Sequence, residues 1–169
     1  GLRYADEDSL YGYACWPQKV QPGGYSFLIW DDEWVEKSAP WVGDHIGAPD
    51  RDTQEVYDQI KSIFTSDAGS EATEEYAGFN ASMGVAVMAD TLEELADGLG
   101  FTGEVKQAFL DQVERYNSYC ETGIDEEFHK TERYLLPVKT PPFYGVKNEP
   151  YTLCMTGGLN VNRIQEVCD

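Results

Sequence analysis

The sequence has few basic residues. It contains 12 lysines and arginines against 31 aspartates and glutamates, a formal net charge of −19 over 169 residues. Such a surface would repel a phosphate backbone, so a nucleic-acid partner is excluded. The acidic residues are spread in short clusters, which is typical of a solvated surface. An anionic small molecule would need a local basic patch in order to bind.

Long apolar runs, an apolar leader and a metal-binding cysteine motif are also missing. Without a run of about 20 apolar residues, no segment is predicted to span a bilayer. The four cysteines have no C-x-x-C spacing and only His45 and His129 could join them, so we predict no metal site. Reduced, isolated thiols are the expected state, although spacing alone does not determine which thiols meet in space.

The length and the apolar content predict one domain. A chain of 169 residues with 41% hydrophobic residues can bury one sizeable core. Residues 25–30 are rich in aromatic and β-branched side chains and predict a buried strand, and residues 85–88 predict a second, shorter one.

Helix signals are strongest between residues 91 and 123. Thr91 followed by Glu94 is typical of a capping box and predicts a short amphipathic helix. A second helix is predicted to start at Thr102 and to end at Gly123, which can take the left-handed conformation of a helix stop. Another helix is predicted over residues 50–64.

Residues 141–162 are the most informative stretch, because they join a proline-stiffened aromatic segment to a pair of glycines. Gly157 and Gly158 lack Cβ, so they can take positive φ and expose N–H groups to a flat or anionic ligand. Taken alone, paired glycines most often mark a tight turn between two strands. The other motifs of the chain favour the ligand-binding interpretation.

Six motifs together resemble the fumarate reductase and succinate dehydrogenase flavoprotein superfamily, particularly its soluble bacterial FAD-dependent reductases. Each motif is weak by itself, but all six follow the family's order with plausible gaps. Residues 34–82 are the least recognisable part. The motifs are Gly1-x-Arg3-Tyr4-x-Asp6-Glu7, residues 27–32, residues 89–95 with 113–117, Gly123-x-Asp125-x-x-Phe128, residues 141–144 and residues 156–159.

The resemblance implies an α+β fold in which helices pack on a small, mostly antiparallel sheet, the capping domain of a fumarate-reductase-like flavoprotein. Family members hold FAD on a separate unit that carries Gly-x-Gly-x-x-Gly. In this sequence that spacing occurs at Gly98, Gly100 and Gly103, but it lies between two predicted helices and not after a strand, so no dinucleotide-binding unit is predicted here. We therefore expect residues 1–169 to be a capping, substrate-binding fragment without the FAD-binding domain. FAD is expected in the parent protein and not on this fragment.

The implied reaction is hydride transfer between the flavin and an unsaturated or ketonic organic substrate. Fumarate-reducing relatives carry an arginine after the Asp-Asp pair of this strand and a histidine before the glycine pair. Residues 33–36 and 153–155 contain neither. Because a desolvated carboxylate needs a cationic or strongly donating partner, fumarate is not the expected substrate.

A larger and less charged substrate is expected instead, with Trp34, Cys154 and Thr156 as its binding residues. Gly157 and Gly158 are the predicted cofactor contacts. The ordinary alternatives are that Trp34 is a packing residue and that Cys154 is an inert buried thiol.

Three residues are predicted to move protons. Tyr144 follows two prolines that would aim its ring at the cleft between cap and flavin domain, so its phenol could donate a proton. Glu7 with Tyr11 could replace a relay that uses an arginine in fumarate-reducing relatives. A structural pairing of Arg3 with Glu7 at a domain hinge is the alternative, and both histidines are expected at the surface.

The parent protein is thus expected to be an FAD-dependent oxidoreductase, and this fragment alone to be inactive. Its partners would be the missing FAD-binding domain and a small-molecule substrate. Alternatives are a catalytically retired cap that serves as a ligand-binding or interaction module, and an extracellular acidic interaction domain unrelated to flavins. Sequence upstream would decide between the bacterial cytoplasm and the cell-envelope side.

Overall fold

A small antiparallel sheet forms the centre of the fold. The computed structural model describes residues 1–8, 16–38, 54–55, 58, 61, 64, 86–148, 162–164 and 166. In this part, the sheet order is β1-β3-β2, with β3 antiparallel to both neighbours. The strands are β1 (Ser26–Asp31), β2 (Ala86–Ala89) and β3 (Phe143–Asn148).

Helices follow β1 and β2 along the chain. None of those in the described ranges combines the length and the apolar content that a membrane crossing requires. In the described residues, short 3₁₀ helices lie at Pro22–Gly24 and Glu132–Tyr134, and residues 16–19 are helical. The α-helices whose bounds the structure describes are α1 (Trp34–Ser38), α2 (Leu92–Gly98) and α3 (Gly103–Thr122).

The core lies between the sheet and the two longer helices. Alternate residues of each strand point to the same face, so Phe143 and Gly145 of β3 share a face with Ile29 of β1 and Val87 of β2. That face packs against α2 and α3, and each fully buried aliphatic side chain there contributes about 1.5–3 kcal/mol. The buried core residues are Leu95, Ala96, Leu99, Phe101, Phe109, Val113 and Phe143.

The helix ends follow the predicted capping residues. Thr91 Oγ1 accepts a hydrogen bond from the Glu94 N–H at 3.2 Å, at the start of α2. Thr102 is the N-cap of α3, and Gly123 ends it with φ 73°. These two helices and both predicted strands are confirmed, each strand one residue later than predicted. The first strand is only partly buried, not fully as predicted, because Leu28 is 50% exposed. The α+β fold that the resemblance implies is also confirmed.

One predicted helix is only partly described, and one observed helix was not predicted. The helix predicted over residues 50–64 lies mostly outside the described residues, although residues 54, 55, 58, 61 and 64 are helical. Helix α1 was not predicted, because a five-residue helix is too short to show a 3.6-residue period.

Gly145 lets α2 approach the middle of the sheet. A Cβ at this position would lie 2.8 Å from Leu99 Cδ1 and 3.2 Å from Ile29 Cδ1. Leu99 is a buried core residue and is surrounded by other core side chains. The contact therefore depends on a residue without a side chain.

We predict that Gly145→Ala destabilises the domain by about 1–3 kcal/mol, because the added methyl group overpacks the core. The measurement is the free energy of unfolding in urea. Adding Leu99→Ala should make the double variant less unstable than the sum of the two single changes, because it removes the colliding atoms.

Ala86→Val on the exposed part of edge strand β2 is the matched control. It should change the free energy of unfolding by no more than about 0.5 kcal/mol. If the two substitutions changed the free energy of unfolding equally, the close packing at Gly145 would not be what limits stability.

Candidate functional site

The predicted site residues that the structure describes fall into two clusters. The first, called here the β1 corner, comprises Asp31, Asp32, Glu33, Trp34, Lys37, Lys61 and Tyr144. The second, called the Arg3 cluster, comprises Arg3, Glu7, Tyr116, Asp125, Phe128 and Lys130. The remaining predicted site residues, Tyr11, Cys154, Thr156, Gly157 and Gly158, lie outside the described residues.

Asp31 organises the β1 corner. Its buried carboxylate accepts hydrogen bonds from Lys37 Nζ at 2.8 Å and from the N–H groups of Lys139 and Thr140 at 2.9 and 3.0 Å. It also accepts from the Glu33 N–H at 3.2 Å. One side chain thus holds the start of α1 and the segment that leads into β3.

Lys37 completes this arrangement. Its ammonium lies 3.0 Å from Glu33 Oε2 and also donates to the carbonyl of Pro137 at 3.0 Å. Burial lowers the pKa of Lys37, but the hydrogen bonds and charges of Asp31 and Glu33 outweigh it, and the net pKa is raised. Lys37 therefore stays charged at neutral pH.

Tyr144 lies on the sheet face opposite α2 and α3 and is only 1% exposed. Its hydroxyl lies 2.6 Å from Asp32 Oδ1 and donates to it, and Lys61 Nζ lies 3.6 Å from the same oxygen. The ring stacks on Trp30 with centroids 5.6 Å apart and meets Phe64 edge-on at 5.1 Å. The catalytic role of Tyr144 stays a prediction.

Trp34 is the first residue of α1 and is half-buried. It follows Asp32 by two residues, so the predicted substrate-binding tryptophan and the predicted acid Tyr144 belong to the same corner. Sequence reasoning missed Asp32 and Lys61 as partners of Tyr144. The Tyr144–Asp32 contact joins residues 112 apart in the chain, and no local pattern reports such a pairing.

Arg3 is the centre of the second cluster. Its guanidinium makes two hydrogen bonds to Asp125, at 3.0 and 2.9 Å, and two to Glu7, at 2.8 and 2.7 Å. The rings of Tyr116 and Phe128 each lie 5.0 Å from it. The pairing of Arg3 with Glu7 expected from the sequence is confirmed, whereas the second and more deeply buried partner, Asp125, was not predicted.

Asp125 is the most deeply buried charge of the cluster, with 0% of its side chain exposed. Burial by itself raises the pKa of this carboxyl. Hydrogen bonds from Arg3 and from the N–H groups of Lys130, Glu127 and Phe128 outweigh burial, so the pKa lies well below its ordinary value of 3.8. For Arg3, burial lowers the pKa but Glu7 and Asp125 raise it further than that.

Glu7 lies at the exposed edge of this cluster. Lys130 Nζ lies 3.6 Å from Glu7 Oε2 and donates to the Tyr116 hydroxyl at 3.1 Å. Burial raises the pKa of Tyr116 well above its ordinary value, so this phenol stays protonated at neutral pH. Glu7 therefore contacts two cations, and its relay with Tyr11 stays a prediction.

Three of the six motifs meet in the Arg3 cluster. Gly1-x-Arg3-Tyr4-x-Asp6-Glu7 supplies the guanidinium and one carboxylate, residues 113–117 supply Tyr116, and Gly123-x-Asp125-x-x-Phe128 supplies the buried carboxylate and a ring. Three segments far apart in sequence therefore contact one another around Arg3, which gives a structural reason why the three motifs occur together.

A groove in the described part of the chain is too acidic to suit the pyrophosphate of FAD. It has a volume of about 730 Å³ and runs between the start of α2, α3 and the segment before β3. Its lining has four carboxylates, Asp90, Glu93, Glu114 and Glu121, and one ammonium group, that of Lys139. Within the described ranges, no group of three or more potential ligands is suited to hold a metal ion. His129 is exposed, as predicted, and His45 lies outside those ranges.

The sequence has curated relatives that match part of it. A vinyl phenol reductase from Lactiplantibacillus plantarum is 37% identical over 81 residues, which are 48% of this chain and 16% of the relative. A 3-oxosteroid 1-dehydrogenase from Mycolicibacterium smegmatis is 35% identical over 94 residues, with 47% and 16% coverage. The matches thus span about a sixth of these relatives' length. Comparison with models of protein families finds no match.

Solved structures match nearly the whole chain. The open conformation of a flavocytochrome c3 fumarate reductase has a TM-score of 0.64 at 21% identity, over 99% of this chain and 22% of that one. The solution structure of a fumarate reductase flavoprotein subunit from Lactobacillus plantarum has a TM-score of 0.56 at 18% identity. This match covers 90% of this chain and 80% of that one. At these identities the match is one of fold.

We predict that Asp125→Asn lowers the free energy of unfolding by about 3 kcal/mol at pH 7, because it removes the fully buried counter-charge of Arg3. The carboxyl's pKa is depressed in the folded state. Its contribution is therefore complete above about pH 4 and is lost as the pH falls towards the folded-state pKa. The difference in free energy of unfolding between wild type and variant, measured in urea, should therefore become smaller below pH 4.

Glu126→Gln removes one negative charge from the exposed neighbouring residue and is the matched control. It should leave the free energy of unfolding within about 0.5 kcal/mol of wild type. A gap between wild type and Asp125→Asn that stays constant from pH 7 to pH 2 would contradict the depressed pKa.

Proposed function

Because the chain matches the fumarate reductase flavoprotein family over part of its members' length, we propose that it is the substrate-capping domain of an FAD-dependent oxidoreductase. The family match confirms the resemblance drawn from the six motifs. In the proposed reaction, hydride passes between the flavin and an unsaturated or ketonic organic substrate. The observation that carries the proposal is that 99% of the chain matches only 22% of a fumarate reductase flavoprotein chain.

In this proposal, residues 1–169 form the cap, and a further domain of the same polypeptide holds the FAD. The bound FAD would supply the hydride chemistry. Gly157 and Gly158 would bring their N–H groups close to it. The cap would exclude water from the cleft and orient the substrate, and the fragment alone would be inactive.

An unsaturated or ketonic compound without opposed carboxylates is the proposed substrate. The names of two relatives specify a vinyl phenol and a 3-oxosteroid as substrates. Trp34, Cys154 and Thr156 would bind such a compound in this chain. No arginine follows Asp32 within residues 33–36 and no histidine occurs in residues 153–155, so fumarate would lack its anchors.

Tyr144 is the proposed proton donor of the cap. Its hydroxyl is held by Asp32 at 2.6 Å in a buried aromatic setting, which keeps it in one orientation. Proton transfer from such a positioned group contributes about 10²–10⁴-fold to a rate. Glu7 with Tyr11 is the proposed relay to solvent.

A retired, non-enzymatic cap is the second candidate. It is favoured by the burial of Tyr144, which is only 1% exposed. Its hydroxyl already donates a hydrogen bond to Asp32. In that case the corner would be purely structural. The two candidates differ in whether the parent protein turns over a substrate.

The test is to purify the full-length product of the gene that contains this sequence. We expect it to be yellow and to reoxidise a reduced dye when enones, 3-oxosteroids or vinyl phenols are added. Tyr144→Phe should then lower kcat by about 10²-fold because the proton donor is removed. A colourless product without turnover would favour the retired cap.

Tyr134→Phe is the matched control, since Tyr134 is half-buried and belongs to the 3₁₀ helix Glu132–Tyr134. It should leave kcat unchanged. Wild-type turnover by Tyr144→Phe would remove Tyr144 from the catalytic residues and would leave the oxidoreductase assignment intact.

A further inference from the structure

The β1 corner contains charges that already neutralise one another. Lys37 lies 2.8 Å from Asp31 and 3.0 Å from Glu33, and Lys61 lies 3.6 Å from Asp32. Among the residues that the structure describes at the corner, three carboxylates thus face two ammonium groups. A ligand carboxylate placed here would meet a surface that is not positive.

An aromatic wall stands beside these charges. Trp30, Phe64 and Tyr144 contact one another pairwise, with ring centroids 5.1–5.8 Å apart. Trp34 begins α1 two residues after Asp32 and is half-buried. Tyr144 is buried, so the half-buried rings of Trp30 and Phe64 offer the surface. Flat conjugated ligands pack well on such rings, because offset stacking and edge-to-face contacts stabilise them.

Lys61 is the more adaptable of the two cations. Its side chain is 38% exposed against 17% for Lys37, and its distance to Asp32 is longer than that of a direct hydrogen bond. Asp32 keeps a short hydrogen bond from Tyr144 in any case. The Lys61 ammonium has three donors and is partly exposed, so it can add a hydrogen bond to a further oxygen atom while Asp32 remains partnered.

We propose that the β1 corner makes the cap specific for uncharged planar substrates, a proposal that rests on the function proposed above. Lys61 donates a hydrogen bond to the carbonyl or phenol oxygen of a conjugated substrate, and Asp32 repels a carboxylate at the same position. Lys61 and Asp32 are thus specificity-determining residues, and the aromatic wall selects for flatness. The substrate class is a neutral enone, aryl alkene or aryl enamide.

A matched pair of ligands tests this directly. Cinnamamide and cinnamate share a ring and a conjugated double bond and differ in charge. Their binding to the full-length flavoprotein is measured by calorimetric titration at pH 7.5, together with turnover. We expect cinnamamide to bind at least tenfold more tightly than cinnamate, and added salt to reduce this preference, because screening weakens the repulsion.

Three variants assign the preference to residues. Asp32→Asn keeps an oxygen that can accept from Tyr144 and removes the charge, so it should strengthen cinnamate binding at least fivefold. Lys61→Gln should weaken cinnamamide binding at least fivefold. Glu36→Gln is the control, because it removes the same charge from an exposed residue of α1. It should change the binding of either ligand less than twofold.

The outcomes separate this proposal from the function on which it rests. Equal or tighter binding of cinnamate, binding of neither ligand, or equal effects of Asp32→Asn and Glu36→Gln would each overturn the specificity proposal. Turnover of both ligands without preference would overturn it and leave the oxidoreductase function standing. Preferential binding without turnover would support the specificity and count against the proposed reaction.

Discussion

The buried pair of Arg3 and Asp125 is the interaction on which the arrangement of the N-terminal segment depends. Both charges have left water, which is costly unless every donor and acceptor is satisfied. Here the carboxylate accepts two bonds from the guanidinium and three from backbone N–H groups, and the guanidinium also binds Glu7 between two aromatic rings. The N-terminal segment is thereby tied to the end of α3.

The same principle recurs at the β1 corner, where it serves the candidate site. Asp31 accepts bonds from Lys37 and from two N–H groups before β3, so the residues that follow it are attached to a rigid strand end. Groups that bind a substrate are most effective when neighbouring contacts fix their orientation. Asp32 and Trp34 follow Asp31 directly and are in that position, and Asp32 lies beside the stacked rings of Trp30 and Tyr144.

Features that depend on near neighbours in sequence were predictable. The caps at Thr91 and Gly123, the strand of residues 25–30 and the pairing of Arg3 with Glu7 all follow from contacts within a few residues. The order of the motifs was enough to indicate the family. The close packing at Gly145 was not predictable, because it depends on how α2 lies across β3.

The sequence by itself determined the acidic balance, the helices of residues 91–123 and the strands β1 and β2. Tertiary structure alone decided that Asp125 binds Arg3 and that Tyr144 binds Asp32 beside Lys61. The reason is physical. Capping and strand periodicity are local properties of the backbone, whereas an ion pair or a hydrogen bond between residues more than 100 positions apart forms only when packing brings the elements together.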